Sequence, residues 1–296
     1  MTMQVIKPVT FTEAMLVSST ATETYAAWAV GTTYAKGARV RYGARVYESL
    51  VASNVGNTPS TSPTSWLDIG PTNTMAMFDD EVNTSTTATN NLTVVLATGL
   101  VNSMALINIT GASATITVTD GAGGPVVFTR TIDLDGTIIG DWYQYFFEPY
   151  VQKEELTITD LPPYVNARLT VNVTATGPVG VGNLVFGTIY DLGEPALGAS
   201  LGTDDYSSVN IDEFGTTTLV RRNSAKRSEL QLLVARNQMR KVFQVLNDLR
   251  ATPCVWIPSP DDQDAPLSVF GIRSSFRVVV DYPAHVLCSL ELKGMT

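Results

Sequence analysis

Between residues 75 and 197 the chain runs in short alternating or β-branched stretches, which predicts strands rather than helices. The runs at 93–96, 103–109, 114–119, 126–132 and 168–173 carry the Val, Ile and Thr that suit a pleated, half-buried surface. Asp120, Gly121, Ala122, Gly123 and Gly124 separate two of them as a hairpin connection. Regular short strands broken by glycine turns predict a β-sandwich, jelly-roll-like in type. The period changes further on. Leu230, Leu233, Val234, Val242, Phe243, Leu246 and Leu249 recur at three- and four-residue steps, so 224–250 reads as one long helix. Ser224 would cap its start, and Pro253 lies beyond its end. Strands are expected around it at 216–220, 254–257, 276–280 and 289–292, giving a C-terminal α+β domain with one long helix on an antiparallel sheet.

The remaining N-terminal part divides in two. Residues 1–20 mix Thr, Ser and Val and read as an extended arm or edge strand. Residues 21–74 form a small aromatic β module ending in turn-rich segments at 54–59 and 69–73. The predicted fold is therefore mainly β in four parts: 1–20, 21–74, 75–197 and 198–296.

Composition narrows the function. Charged residues make up 16% of the 296-residue chain, well below the usual quarter, which suggests much surface buried against other subunits. The net charge of -9 argues against nucleic acid as a general partner, because phosphate binding needs clustered Lys and Arg. One basic run, with Arg221, Arg222, Lys226 and Arg227, is the exception. It can line a lumen and touch passing DNA. The favoured reading is a helix start paired with acids of an adjoining subunit, since Asp204, Asp205, Asp212 and Glu213 lie just upstream. No apolar run is long enough to cross a bilayer, so no membrane partner is expected. Residues 1–20 show no basic start followed by an apolar core, so synthesis in a cytoplasm is expected.

Chemistry by side chains finds little footing. His285 is the single histidine, and it falls in an expected strand beside Pro283. Cys254 and Cys288 could pair or serve as nucleophiles, but two buried thiols are the favoured reading. The adjacent acids Glu154 and Glu155, Asp204 and Asp205, and Asp261 and Asp262 lie in polar, turn-like segments, and adjacent acids point apart on a strand. Asp79, Asp80 and Glu81 offer oxygen ligands for calcium without the spacing of a dedicated loop. The expectation is no enzyme, no metal and no cofactor.

The aromatic module reads Trp28, then Tyr34 to Gly37, Tyr42 with Gly43, Tyr47, and a closing Trp66. This order of Trp, Tyr-x-x-Gly turn, Tyr-Gly hairpin leading to a second Tyr, and closing Trp resembles chitin-binding-type carbohydrate-binding modules. The resemblance covers about a seventh of the chain. It implies a set of aromatics split between core and sugar-stacking platform, because sugar rings present flat C–H faces to Trp and Tyr. Trp28, Tyr34, Tyr42 and Trp66 are the candidate binding residues, with Trp28 and Trp66 foremost and Tyr47 placed in the core. The other reading makes the module a spacer or docking peg whose aromatics face neighbouring subunits.

The layout of the last hundred residues resembles minor structural proteins of tailed bacteriophages, with a terminal strand pair at 276–280 and 285–293. The stretch at 142–147, read as a strand, the Leu161-Pro162-Pro163-Tyr164 turn and the glycine-spaced run at 179–187 are similar to phage virion β-sandwich domains. The resemblance implies a tail-tip or baseplate component that assembles into a symmetric homo-oligomeric ring with other tail proteins. Arg221, Arg222 and Arg227 are its candidate assembly residues, and host surface glycans a further partner. It also implies residence in the virion tail. The alternative is a free-standing glycan-binding protein acting through Trp28 to Trp66.

Overall fold

The computed structural model describes residues 2–137, 139–196, 198–211, 213–259, 267–280 and 282–295. The fold is mainly β, 53% strand against 9% helix. Strands β1 (Met3–Pro8) and β2 (Leu16–Ser19) precede the module strands β3 (Arg39–Tyr42), β4 (Arg45–Ser49) and β5 (Trp66–Pro71). Next come β6 (Thr86–Ala97), β7 (Ser103–Thr110), β8 (Ser113–Asp120) and β9 (Val126–Asp133), then helix α1 (Trp142–Phe147), β10 (Glu155–Ile158) and β11 (Ala167–Pro195). The C-terminal part holds β12 (Ser200–Asp205), β13 (Ser208–Ile211), β14 (Thr217–Val220), β15 (Ser224–Ala235), helix α2 (Met239–Asp248), β16 (Cys254–Ile257), β17 (Val269–Val279) and β18 (His285–Gly294).

The long β11 is the spine. Its first part lies between β6 and β8, its middle pairs with β7, and its end pairs with β1 and then β15, all antiparallel. Its register against β6 slips between Thr174 and Pro178, where Gly177 takes a positive φ of 129° that a side chain would resist. Where β11 meets β1, a Cβ on Gly187 would sit 1.9 Å from the Lys7 carbonyl oxygen, so only glycine lets the two backbones approach. Alternating residues of β6, β7, β8 and β11, among them Leu92, Leu106, Ile116, Leu169 and Phe186, meet in one buried cluster. The strands expected at 93–96, 103–109, 114–119, 126–132 and 168–173 are all present, and the 120–124 segment joins β8 to β9.

The second core is enclosed by a circuit of strands. In order β11, β1, β16, β17, β18 and β15, each pairs with the next, and β15 returns to β11. Closure removes the free edges of these strands over the paired stretch. Inside lie Met3, Val5, Leu192, Leu230, Leu232, Val234, Trp256 and Leu290, α2 adds Val242 and Leu246, and Leu249 follows at its end. The N-terminal stretch is therefore neither arm nor edge where β1 runs, because that strand is hydrogen-bonded on both sides and its Met3, Val5 and Ile6 are buried. The circuit also needs the end of β11, so residues 198–296 do not close it by themselves.

Two elements differ from the sequence reading. The expected helix over 224–250 is a strand, β15, followed by the much shorter α2. Leu230, Leu232 and Val234 alternate into the core while Leu233 is turned outward, a period of two that the three-and-four spacing had masked. Neighbours β18 and β12 on its two sides supply the hydrogen bonds that decide the matter. Ser224 therefore starts a strand and caps no helix. The stretch at 142–147, expected as a strand, is α1. Asp141 accepts a hydrogen bond from Gln144 N at 2.7 Å, and the Gln144 side chain accepts one from Gly140 N at 2.6 Å, a reciprocal cap at its start.

Candidate interaction surfaces

In the aromatic module β3, β4 and β5 form a three-stranded antiparallel sheet with Val40 and Val46 buried. Trp66 is 2% exposed and its indole N–H donates to the Asn57 carbonyl at 2.9 Å. Tyr34 lies edge-on to it at 5.3 Å, and the Tyr34 hydroxyl accepts from Ala29 N at 2.8 Å. Asn54, itself buried, donates to Ser49 Oγ and the Ser65 carbonyl and accepts from the Asn57 amide. A sheet this small has few apolar residues to bury, so an aromatic pair and an amide network form its core. Trp66 thus offers no ring face for a sugar, and Tyr47, placed in the core from the sequence, is only half-buried. The other two candidates sit together outside. Trp28 and Tyr42 meet edge to face at 5.6 Å, Trp28 half-buried and Tyr42 exposed.

The module is tied to the body by polar contacts. The Asn73 side chain bridges to Thr87 of β6, donating to its carbonyl and accepting from its N–H, while Thr22 and Glu23 hold Asn73 and Thr74 in place within the module.

The basic run does not begin a helix, and two of its cations are paired within the chain. Arg227 on β15 contacts Glu229 at 2.9 Å and Glu291 of β18 at 2.7 Å. Lys226 pairs with Glu155 of β10, which ties the second core to the first. Asp205 is held below the usual carboxylate range by hydrogen bonds from Ser207, with Arg221 adding a smaller electrostatic pull. Arg221 and Arg222 are exposed at the base of a two-stranded ribbon, β13 paired with β14, and the upstream Asp212 lies outside the described residues.

That ribbon is a surface the sequence reading missed. Val209 pairs with Leu219 and Ile211 with Thr217, so Val209, Ile211 and Leu219 share one face, and all three are exposed. Phe214, between the strands, is 92% exposed. Isolated two-stranded hairpins are marginally stable in water, and this one forms a sheet of its own. The strand expected at 216–220 is β14, but its partner β13 was signalled only by the short alternation of Val209 and Ile211 in a polar stretch.

The second missed surface is α1. Trp142, Tyr143, Tyr145, Phe146 and Phe147 are all exposed, Trp142 at 80%, and Tyr150 and Val151 continue the patch. The rings pack on one another, Tyr143 on Phe147 at 4.8 Å and Tyr145 on Phe146 at 5.1 Å.

The groups considered for catalysis and metal binding are not brought together. His285 is at the exposed start of β18, while Cys288, three residues on, points the opposite way into the core. Both cysteines are free and buried, and burial pushes their thiols up, Cys254 to about 12 and Cys288 to about 11. The Asp79 carboxylate is raised chiefly by burial and accepts from Thr84 Oγ1 at 2.8 Å, within a cleft of about 390 Å³ that Asn183 also lines. Among the described residues no three His, Cys, Asp or Glu side chains gather closely enough to hold a metal ion. Asp261 and Asp262 lie outside those residues.

No family model matches the chain, and neither a curated protein nor a solved structure is significantly similar to it.

Proposed function

We propose that the protein is a structural component that assembles into a symmetric ring, of the kind that forms the tail tip or baseplate of a tailed bacteriophage. The observation that carries the reading is the β13–β14 ribbon, whose apolar face of Val209, Ile211 and Leu219 is turned to solvent on a strand pair too small to be stable alone. A neighbouring copy that covers this face with a different part of its surface makes a heterologous contact, and such contacts close into rings when the rotation allows. Low charge across the chain supports the same reading, as does the exposed Arg221 and Arg222 pair beside the ribbon. In this account residues 75–197 are a jelly-roll-like sandwich, and the strand circuit with α2 is the assembly domain.

A second reading rests on Trp28 and Tyr42, which keep aromatic surface outside the module and so leave room for a glycan to stack. It would make the module the active part of a glycan-binding protein. Electron microscopy of intact particles labelled with antibody against residues 28–66 separates the two. Label clustered at one end of a tail supports the proposal. Unlabelled particles, together with binding of the free protein to polysaccharide, would replace it with the second reading.

A further inference from the structure

The α1 segment is a knob on a neck. Leu134, fully buried, roots one strand of the neck, and Gln152 roots the other by donating to the Ile109 and Gly111 carbonyls. Between them Gly136 N donates to the Val151 carbonyl and Lys153 N to the Leu134 carbonyl, both at 2.8 Å. Thr137 N donates to the Asp135 carboxylate at 2.8 Å, and hydrogen bonds from Thr137 hold that carboxylate below its usual range. The reciprocal cap of Asp141 and Gln144 then fixes the helix at the tip.

The shape of the apolar surface identifies what it fits. With 3.6 residues per turn, the five aromatics of α1 cover about 200° of its circumference, twice the stripe that a helix lays into a protein core. At about 150–250 Å² per aromatic side chain, these rings and Tyr150 expose on the order of 800 Å², as much as one partner gives to a whole protein interface. A partner covering one side would leave the rest in water, so a protein would need a deep socket. Three clefts of the body, of about 390, 420 and 510 Å³, are each of a size for one small molecule and too small to take this whole patch from a second copy.

Charge points the same way. Residues 139–152 contain no Lys or Arg, and their only ionised groups, Asp141 and Glu148, flank the helix. A surface of this kind matches an uncharged apolar phase with a polar boundary. Trp and Tyr favour the boundary because each joins an apolar ring to a polar tip, while Phe favours the layer beneath. We infer that the 139–151 knob inserts into the interfacial layer of a zwitterionic lipid bilayer, without spanning it. The expectation of no membrane contact rested on the absence of a spanning segment, which such an anchor does not require. This contact is independent of ring assembly.

The test uses the full chain with phosphatidylcholine vesicles, part of whose acyl chains carry bromine. The wild-type protein should float with the vesicles, equally at low and high salt, with its tryptophan emission quenched by the bromine. Trp142→Phe should still float but lose most of the quenching, since Trp66 and Trp256 are buried and Trp28, half-buried, lies outside the knob. Phe146→Ser combined with Phe147→Ser should lower the bound fraction by about tenfold or more, with unchanged thermal unfolding. Failure of the wild-type protein to float, or equal flotation of the double variant, would overturn the inference. So would self-association in lipid-free buffer that the double variant abolishes, because the knob would then have a protein socket.

Discussion

The aromatic module and the α1 knob use the same residue types and turn them in opposite directions. In the module, Trp66 and Tyr34 are drawn inside a small sheet, where the indole N–H and the tyrosine hydroxyl both find backbone partners. In the knob, Trp142 and its neighbours stay exposed on a short helix that no described part of the chain covers. Aromatic density alone therefore does not mark a binding site. What separates the two regions is the polar framework. Asn54 and Asn57 organise loops over Trp66, whereas Asp141 and Gln144 spend their hydrogen bonds on capping the helix and leave its rings outside.

The largest expected difference follows directly. Trp66→Ala should destabilise the module by about 3–5 kcal/mol, and Trp142→Ala should change stability by less than about 0.5 kcal/mol, as read by chemical denaturation. Comparable losses at both sites would break the contrast. The same logic applies to adjacent residues of β15. Leu232→Ala should cost about 2–5 kcal/mol and Leu233→Ala under about 1 kcal/mol, whereas a helix over this segment would make Leu233 the costlier one. Covered thiols give a pH signature. Because burial raises Cys254 and Cys288 above the ordinary 9.0, their contribution is complete below about pH 9 and is lost as pH climbs toward about 11 and 12. Denaturation midpoints should hold steady to about pH 9 and then fall, and thiol reagents at neutral pH should label neither cysteine without denaturant. The smallest effect is local: Asp141→Ala removes a cap worth about 1 kcal/mol and should hasten proteolysis within 139–151 while leaving the global midpoint in place.

Much of the fold was legible because period-two patterning is strong wherever one strand face is buried. The strands of the first core, the 120–124 hairpin and the paired strands β17 and β18 could all be read from it. Two kinds of information were not local. Leu230, Leu233 and Val234 suit a helix as well as a strand, and only hydrogen bonding to β18 and β12, one of them more than fifty residues away, selects the strand. Closure of the circuit by β1 joins residues from opposite ends of the sequence, which no window along the chain contains. Among the candidate residues, the sequence singled out the module's aromatics but not their sides. The Asp141-x-x-Gln144 spacing was a readable helix signal, overshadowed by a run of aromatics that suits a strand. Arg227 looked available for a neighbour because its partner Glu291 is remote in sequence.

The most direct test of ring assembly is sedimentation velocity of the full chain beside a Val209→Ser, Leu219→Ser variant. The account predicts a discrete multi-subunit species for the wild-type chain at micromolar concentration, and a monomer of unchanged thermal stability for the variant. A wild-type monomer throughout that range, or an oligomer that the variant leaves intact, would contradict it.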